Sequence, residues 1–177
     1  MKTVGDLMIP LGDYTHVTIG DSLHDAIRAL MMALQTKAVD PSRPGDRGVL
    51  VHAANGRVVG KLSMWDVLGG LQPQYEPPID PFGTIDDHFL WSDWLRAGLA
   101  EKARSIKVED LLGDRPKVET IDEKAPLDLA VHRLVRGKYL SLLVTRAEAV
   151  VGILRLSDAF KAVGELVTAA QSEHVRV

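Results

Sequence analysis

The sequence predicts an α/β (α+β) fold made of two copies of one β-α-β-β-α unit. Three observations predict it: a repeated opening motif, two matched amphipathic helices that each follow a short strand, and two matched strand pairs that each run into a further helix. A chain of 177 residues is long enough for one domain or for two small ones. The repetition therefore favours two small units of a common fold.

Each copy begins with a short opening segment and a short strand. The segment Val4–Met8 (VGDLM) returns as Val108–Leu112 (VEDLL). Further along each copy, Thr18-Ile19 returns as Thr120-Ile121. These matches place Thr18 and Thr120 at equivalent ends of the first strands.

An amphipathic helix follows in each copy. Apolar residues recur at spacings of three and four, which places them on one helical face. They are Leu23, Ala26, Ile27 and Leu30 in the first copy and Leu127, Ala130, Val131 and Leu134 in the second. Ser22 and Pro126 suit the cap or first turn of these helices.

A pair of strands is predicted after each of these helices. Apolar runs at 48–51 and 140–144 have the length and β-branched content of buried strands. A turn follows each run. In the first copy Asn55-Gly56 predicts a type I′ hairpin, whereas Arg146–Ala149 occupies the equivalent place with weaker turn residues.

The matched segments define the boundaries of the two copies. We expect the first unit at 1–72, an inserted linker at 73–105, the second unit at 106–170 and a tail at 171–177. The linker is rich in proline at first and then predicts a helix from about residue 92 to residue 104. It gathers aromatic residues that either pack on their own module or form a surface for a partner. These are Phe82, Phe89, Trp91 and Trp94.

Composition and motifs argue against several classes of function. The chain has no cysteine, which excludes disulfides and thiolate chemistry. Its net charge of −3 gives no drive toward nucleic acid. It has neither a signal-peptide pattern nor an apolar stretch of about 18 residues, so we expect a cytoplasmic protein without a membrane partner.

Catalytic and metal-binding patterns are absent from the sequence as well. The six histidines include no His-x-x-x-His pair, and Asp86-Asp87-His88 is interpreted as a solvated acidic segment. No Gly-x-Ser-x-Gly, Walker or dinucleotide fingerprint occurs. We therefore expect no catalytic residue, no metal site and no enzymatic activity.

The strand that returns after each hairpin carries the most specific motif. In the first copy Gly60 is followed by two further residues, the hydroxyl residue Ser63, two more residues and Asp66. The second copy keeps Gly152 and Asp158 but has Arg155 at the hydroxyl position. This doubled motif resembles the cystathionine-β-synthase-type (CBS) domain family, over about residues 2–72 and 106–168.

The resemblance implies a tandem CBS pair. In that family two units pack around a pseudo-two-fold axis, and two chains form a flat homodimer. The family binds adenine nucleotides or related adenosyl ligands in clefts between paired units. By this resemblance we expect a regulatory module that needs no cofactor, binds AMP, ADP, ATP or another adenosyl compound, and acts on an effector protein.

Asp66 and Asp158 are the candidate ribose ligands. A carboxylate at a helix start can accept bonds from both ribose hydroxyls, and Ser63 can meet the sugar or phosphate beside helix N–H groups. The alternative for Ser63 and Asp66 is a capping arrangement without a ligand. Arg155 has three alternatives: it grips phosphate, it fills the second cleft, or it pairs with Asp158 and silences it.

Matching positions add further candidates for ligand contact. Thr18 and Thr120 occupy the family's base-contact position, and the starts of the second strands line the base and phosphate side. The strand-start candidates are Arg47, Gly48, Val49, Ser141 and Leu142. A second hypothesis also stays open, in which the protein is a ligand-free scaffold for dimerisation or partner binding, suggested by Arg155 and the aromatic linker.

Overall fold

The computed structural model describes residues 2–37, 47–72, 98–113 and 119–174. Two compact units form, each around one copy of the repeat. The first-copy unit holds the described residues of 16–35 and 48–113, and the second-copy unit holds those of 1–15, 36–47 and 114–177. The predicted mixed α/β fold with a doubled β-α-β-β-α unit is confirmed.

The strands and helices follow one another in the predicted order. They are β1 (Ile9–Pro10), β2 (His16–Thr18), α1 (Leu23–Lys37), β3 (Gly48–His52), β4 (Val58–Ser63), α2 (Met64–Leu71), α3 (Leu99–Ser105), β5 (Thr120–Asp122), α4 (Leu127–Gly137), β6 (Ser141–Arg146), β7 (Ala149–Arg155) and α5 (Leu156–His174). Single 3-10 turns occur at Leu11–Asp13 and Val108–Leu111.

The first-copy unit is built on a three-stranded sheet of order β2-β3-β4. β2 pairs with β3 in parallel, and β3 pairs with β4 antiparallel. The parallel pair needs a crossover, which α1 supplies. Leu23, Ala26 and Leu30 of α1 are buried in the core of this unit, so the helical face predicted from the sequence is the face that packs.

The second-copy unit repeats this arrangement with one additional strand. Its sheet has the order β1-β7-β6-β5, in which β5 and β6 are parallel and β6 and β7 antiparallel. Leu127, Ala130 and Leu134 of α4 are buried in its core. The register slips at equivalent points of the two hairpins, between Val51 and His52 and between Val144 and Thr145. The repetition therefore extends to the irregularities of the sheets.

The opening segments are exchanged between the units. Val4 belongs to the second-copy unit, where its N–H donates to the carbonyl of Ala125 at 2.9 Å. Val108 belongs to the first-copy unit, where its N–H donates to the carbonyl of Asp21 at 3.0 Å. The compact units thus differ from the boundaries drawn in chain order, because each segment packs in the core of the other copy.

The glycine of each doubled motif lies beneath an opening segment. A Cβ atom added to Gly60 would lie 2.7 Å from Cδ2 of Leu112. In the second-copy unit, Gly152 pairs with Pro10 of β1, and an added Cβ atom would lie 2.8 Å from Sδ of Met8. Met8 and Leu112 occupy equivalent positions of the repeat, so both glycines make room for the same close approach.

The two hairpin turns differ from the sequence prediction, because the type I′ conformation occurs in the second copy and not in the first. The type I′ turn predicted at Asn55-Gly56 is wrong, because Gly56 has φ 80° while Asn55 is not among the residues with positive φ. Instead, the side chain of Asn55 accepts a bond from the N–H of Arg57. In the second copy Ala147 (φ 46°) and Glu148 (φ 67°) both adopt positive φ, as a type I′ turn requires.

Helix caps and ends agree with the sequence in part. Ser22 and Asp25 form reciprocal bonds at the start of α1, and Pro126 occupies the N-cap position of α4 without a side-chain hydrogen bond. Of the helix predicted at 92–104, α3 covers Leu99–Ser105, and it begins directly after Gly98, whose φ of 70° is not helical. α5 continues to His174, beyond the predicted end near Ala170. The aromatic linker segment lies outside the described residues.

No helix in the described ranges combines the length and the apolar character that crossing a membrane would require.

Candidate functional site

Ser63 and Asp66 form a reciprocal cap at the junction of β4 and α2. The N–H and the hydroxyl of Ser63 both donate to Oδ2 of Asp66 at 2.7 Å. In return, the N–H of Asp66 donates to Oγ of Ser63 at 3.4 Å. Both side chains are half-buried. The capping arrangement considered from the sequence is therefore present, and it holds the carboxylate at the first turn of the helix.

The start of β3 lies beside this junction. Gly48 is the cross-strand partner of Ser63, and a Cβ atom on it would lie 2.6 Å from the carbonyl oxygen of Leu62. Val49 is fully buried in the core of the first-copy unit. Its side chain cannot face a ligand there, so only its main chain remains a candidate for contact. Arg47, which precedes β3, is exposed.

Thr18 ends β2 at the opposite end of the sheet from this junction, because it pairs with His52 at the end of β3 whereas Ser63 pairs with Gly48 at its start. It is half-buried and lies opposite His52 of β3. Its N–H donates to Oδ2 of Asp21 at 2.7 Å, and its carbonyl accepts a bond from the N–H of Asp21. This local turn holds the end of the strand where the sequence placed a base contact.

Arg155 and Asp158 form the equivalent junction between β7 and α5. Nε of Arg155 donates to Oδ2 of Asp158 at 2.6 Å, and a terminal nitrogen donates to Oδ1 at 2.7 Å. The side chains are only 6% and 19% exposed. Of the three alternatives for Arg155, the structure therefore contains the pairing with Asp158, in a bidentate and charge-assisted form.

The remaining second-copy candidates differ in their position relative to this pair. Ser141, which is buried, is the cross-strand partner of Arg155. Leu142 is fully buried in the core of the second-copy unit, so its side chain is unavailable to a ligand. Thr120 is half-buried, and its carbonyl accepts a bond from the guanidinium of Arg133. The prediction that it ends its strand as Thr18 does is wrong, because Thr120 begins β5 and the residue equivalent to Thr18 is Asp122, which pairs with Thr145 as Thr18 pairs with His52.

A stacked histidine pair adjoins Thr18 and was not singled out from the sequence. The rings of His16 and His52 lie 4.9 Å apart at an interplanar angle of 18°. Nε2 of His52 is buried and has no hydrogen-bond partner in the part of the chain that the structure describes. Burial lowers the pKa of His52, and the neighbouring His16 lowers it further. Because the pair forms across two strands, sequence spacing could not reveal it.

No metal centre is formed by the described ranges 2–37, 47–72, 98–113 and 119–174, which contain no group of three or more histidine, aspartate or glutamate residues able to hold an ion. The acidic segment Asp86-Asp87-His88 lies outside those ranges.

Comparison with protein families matches part of the chain. Residues 108–165 match the family model of the CBS domain. This stretch includes β5, α4, β6 and β7 of the second copy and the Arg155–Asp158 junction. No curated protein sequence matches the chain.

Solved structures resemble the chain over nearly its full length. The CBS-pair protein CBSX2 from Arabidopsis thaliana is 23% identical with a TM-score of 0.63, covering 94% of this chain and 96% of that one. A structure of CBSX2 in complex with AMP is also 23% identical, with a TM-score of 0.60 and coverages of 94% and 98%. A CBS domain-containing protein from Bacillus anthracis str. Ames Ancestor is 17% identical, with a TM-score of 0.61 and coverages of 93% and 94%. At these identities the likeness establishes the fold.

Proposed function

We propose that this chain is a CBS-pair protein and a non-catalytic regulatory module, because residues 108–165 match the CBS domain model and its fold resembles that of CBS pairs. It binds an adenine nucleotide or a related adenosyl ligand, and binding changes its contacts with a second copy or an effector protein. The observation that carries the proposal is the Ser63–Asp66 junction, which holds a half-buried carboxylate at the first turn of α2.

The chemistry of this junction suits a ribose. Asp66 accepts both bonds from Ser63 at one oxygen, Oδ2, so the carboxylate is already oriented by its own helix. Two neighbouring sugar hydroxyls can donate charge-assisted bonds to such a group. The N–H groups at the start of α2 add a favourable field for a phosphate. AMP is the first probe, since a structure of similar fold contains it.

A thermal-shift screen with AMP, ADP, ATP, NAD and S-adenosylmethionine tests the proposal. A ligand at 100 times its dissociation constant adds about 2.7 kcal/mol to the free energy of unfolding. We expect at least one of these compounds to stabilise the wild type, and Asp66→Asn to remove that stabilisation. No shift with any compound at millimolar concentration would count against the proposal.

Asp25→Asn is the matched control for Asp66→Asn. Asp25 accepts bonds from the N–H and hydroxyl of Ser22 at 3.0 and 2.6 Å, which is the same reciprocal cap at the start of α1. This substitution removes an equivalent cap outside the doubled motif. If both variants lose the ligand effect equally, the role of Asp66 is capping and the ribose assignment is wrong.

Association of two copies forms the second part of the proposal. α5 carries exposed apolar side chains along one side, with Leu156 40%, Phe160 75% and Val167 59% exposed. Such a row is costly to leave in water and is typical of a contact surface. We expect a homodimer in sedimentation velocity and a shift toward monomer for Phe160→Glu. Lys161→Glu, at an exposed neighbouring position, is the control.

A ligand-free scaffold is the second candidate function. It is favoured by the Arg155–Asp158 pair, which occupies the carboxylate of the second junction, and by Trp65 on α2, whose side chain is 74% exposed. In that case the screen gives no shift, while Phe160→Glu still alters the oligomeric state. The two functions therefore predict different outcomes from the same two measurements.

A further inference from the structure

The two strand–helix junctions are equivalent in the repeat but differ in what the helix carboxylate binds. At the first junction a neutral hydroxyl and an N–H, both from Ser63, meet a single oxygen of Asp66. At the second junction the guanidinium of Arg155 takes both oxygens of Asp158, at 2.6 and 2.7 Å. The second carboxylate is thus engaged by a cation from its own chain in the geometry that two sugar hydroxyls would need.

Burial makes it unfavourable to displace Arg155 from Asp158 at the second junction. Arg155 is 5% exposed as a residue, and its cross-strand partner Ser141 is 8% exposed. A ribose that displaced the guanidinium would leave a charged group buried without its counterion, which is strongly unfavourable. Displacing the hydroxyl of Ser63 would leave only a neutral group, which can rotate and bond elsewhere.

We propose that Arg155 closes the second junction to ribose, so that each chain binds one nucleotide, at Asp66. The inference rests on the proposed function, because it assigns which of the two equivalent junctions is used. Arg155 acts as an internal substitute for the ligand, and its side chain determines the stoichiometry of binding.

The substitution Arg155→Thr tests this directly. It restores the hydroxyl that the first copy has at Ser63 and leaves Asp158 at the third position of α5, where a threonine cap can bond to it. In equilibrium dialysis with AMP we expect one nucleotide per wild-type chain and two per R155T chain. We expect one per chain again for the double variants R155T/D66N and R155T/D158N.

Arg146→Thr is the matched control. Arg146 forms the same bidentate pair with Glu123, at 2.6 and 2.7 Å, but its side chain is 62% exposed. Removing it eliminates an arginine–carboxylate pair in the same hairpin without changing the junction. We expect R146T to bind one AMP per chain, as the wild type does.

Other outcomes separate this inference from the proposed function. Two AMP per wild-type chain, or one per R155T chain, overturns the inference and leaves nucleotide binding intact. Binding of ATP that R155T weakens without adding a site also overturns it, because Arg155 would then be a phosphate ligand. If only R155T binds AMP, and D158N abolishes that binding, Arg155 does close the second junction, but the single wild-type site at Asp66 is overturned. No binding by either protein overturns both.

Discussion

The carbonyl oxygen of Ile9 lies 2.6 Å from the position that a Cβ atom on Gly152 would occupy. Gly152 is buried in β7, and Ile9 belongs to β1, which pairs with it. A side chain at residue 152 would push against main chain that is fixed by strand pairing. The glycine of the second motif is therefore needed for packing, whatever the ligand-binding role of the motif.

Gly152→Ala is expected to destabilise the protein by about 1–3 kcal/mol, the usual cost of overpacking a core. Gly60→Ala should cost less, because the atom it meets is the mobile methyl end of Leu112. Gly164→Ala, in α5 with nothing within 4 Å, is the control and should be neutral or stabilising. Urea unfolding ranks the three variants, and equal costs at residues 60 and 152 would contradict the packing argument.

The turn between β6 and β7 stores strain that substitution can remove. Ala147 and Glu148 hold positive φ, which costs residues with a Cβ atom about 1–2 kcal/mol each. We expect Glu148→Gly to raise the free energy of unfolding by about 1 kcal/mol. Asn55→Gly, in the other hairpin, should give no such gain, since Asn55 is not among the positive-φ residues and its side chain bonds to Arg57.

Breaking the Arg155–Asp158 pair should be costly in either ligand state. Asp158→Ala leaves the buried guanidinium without its counterion, for which a loss of about 3 kcal/mol is typical. Glu123→Ala removes the partner of the exposed Arg146 and should cost much less, because water screens an ion pair at the surface. The free energies of unfolding of the two variants, measured without nucleotide, test the contrast. Equal losses would show that burial of Arg155 has no energetic consequence.

The histidine pair predicts a dependence of stability on pH. Burial, and then His16, lower the pKa of folded His52 below its ordinary value of 6.5. The unfolded chain therefore binds more protons below that pH, so stability is lost as pH falls from about 6.5 through the folded pKa. The hydrogen bonds with Ser22 lower the pKa of the Asp25 carboxyl below 3.8, so its contribution to stability is lost only as pH falls from about 3.8 through the folded pKa.

His52→Phe keeps an aromatic ring beside His16 and removes the titration. We expect its free energy of unfolding to fall less between pH 7 and pH 5 than that of the wild type, measured by urea unfolding at each pH. His132→Gln, at an exposed position of α4, should follow the wild type. A wild-type slope that His52→Phe leaves unchanged would contradict the assignment.

Much of each unit could be predicted from local pattern. The spacing of Leu127, Ala130 and Leu134 predicted the buried face of α4, because helical periodicity alone places these residues together. The repeated glycine-to-aspartate motif predicted Asp66 and Asp158 at the starts of α2 and α5, where the structure has them. The ligand contacts proposed for these residues remain predictions.

The spacing of residues could not predict contacts between segments that are distant in sequence. The exchange of the opening segments depends on which core accepts Val4 or Val108, and both cores offer similar apolar surfaces. The φ values of Ala147 and Glu148 follow from the strand register on either side of the turn, which overrides their own preference.

The sequence by itself determined the doubled unit, its helical faces and the inequality of the two motifs, because these are properties of residue type and spacing. Only the tertiary structure decided that Arg155 bonds to Asp158 and that His16 stacks on His52. A long arginine side chain can reach several acceptors, and the buried surroundings of this junction favour pairing with Asp158. The two histidines meet because β2 and β3 are paired, and chain order does not bring them together.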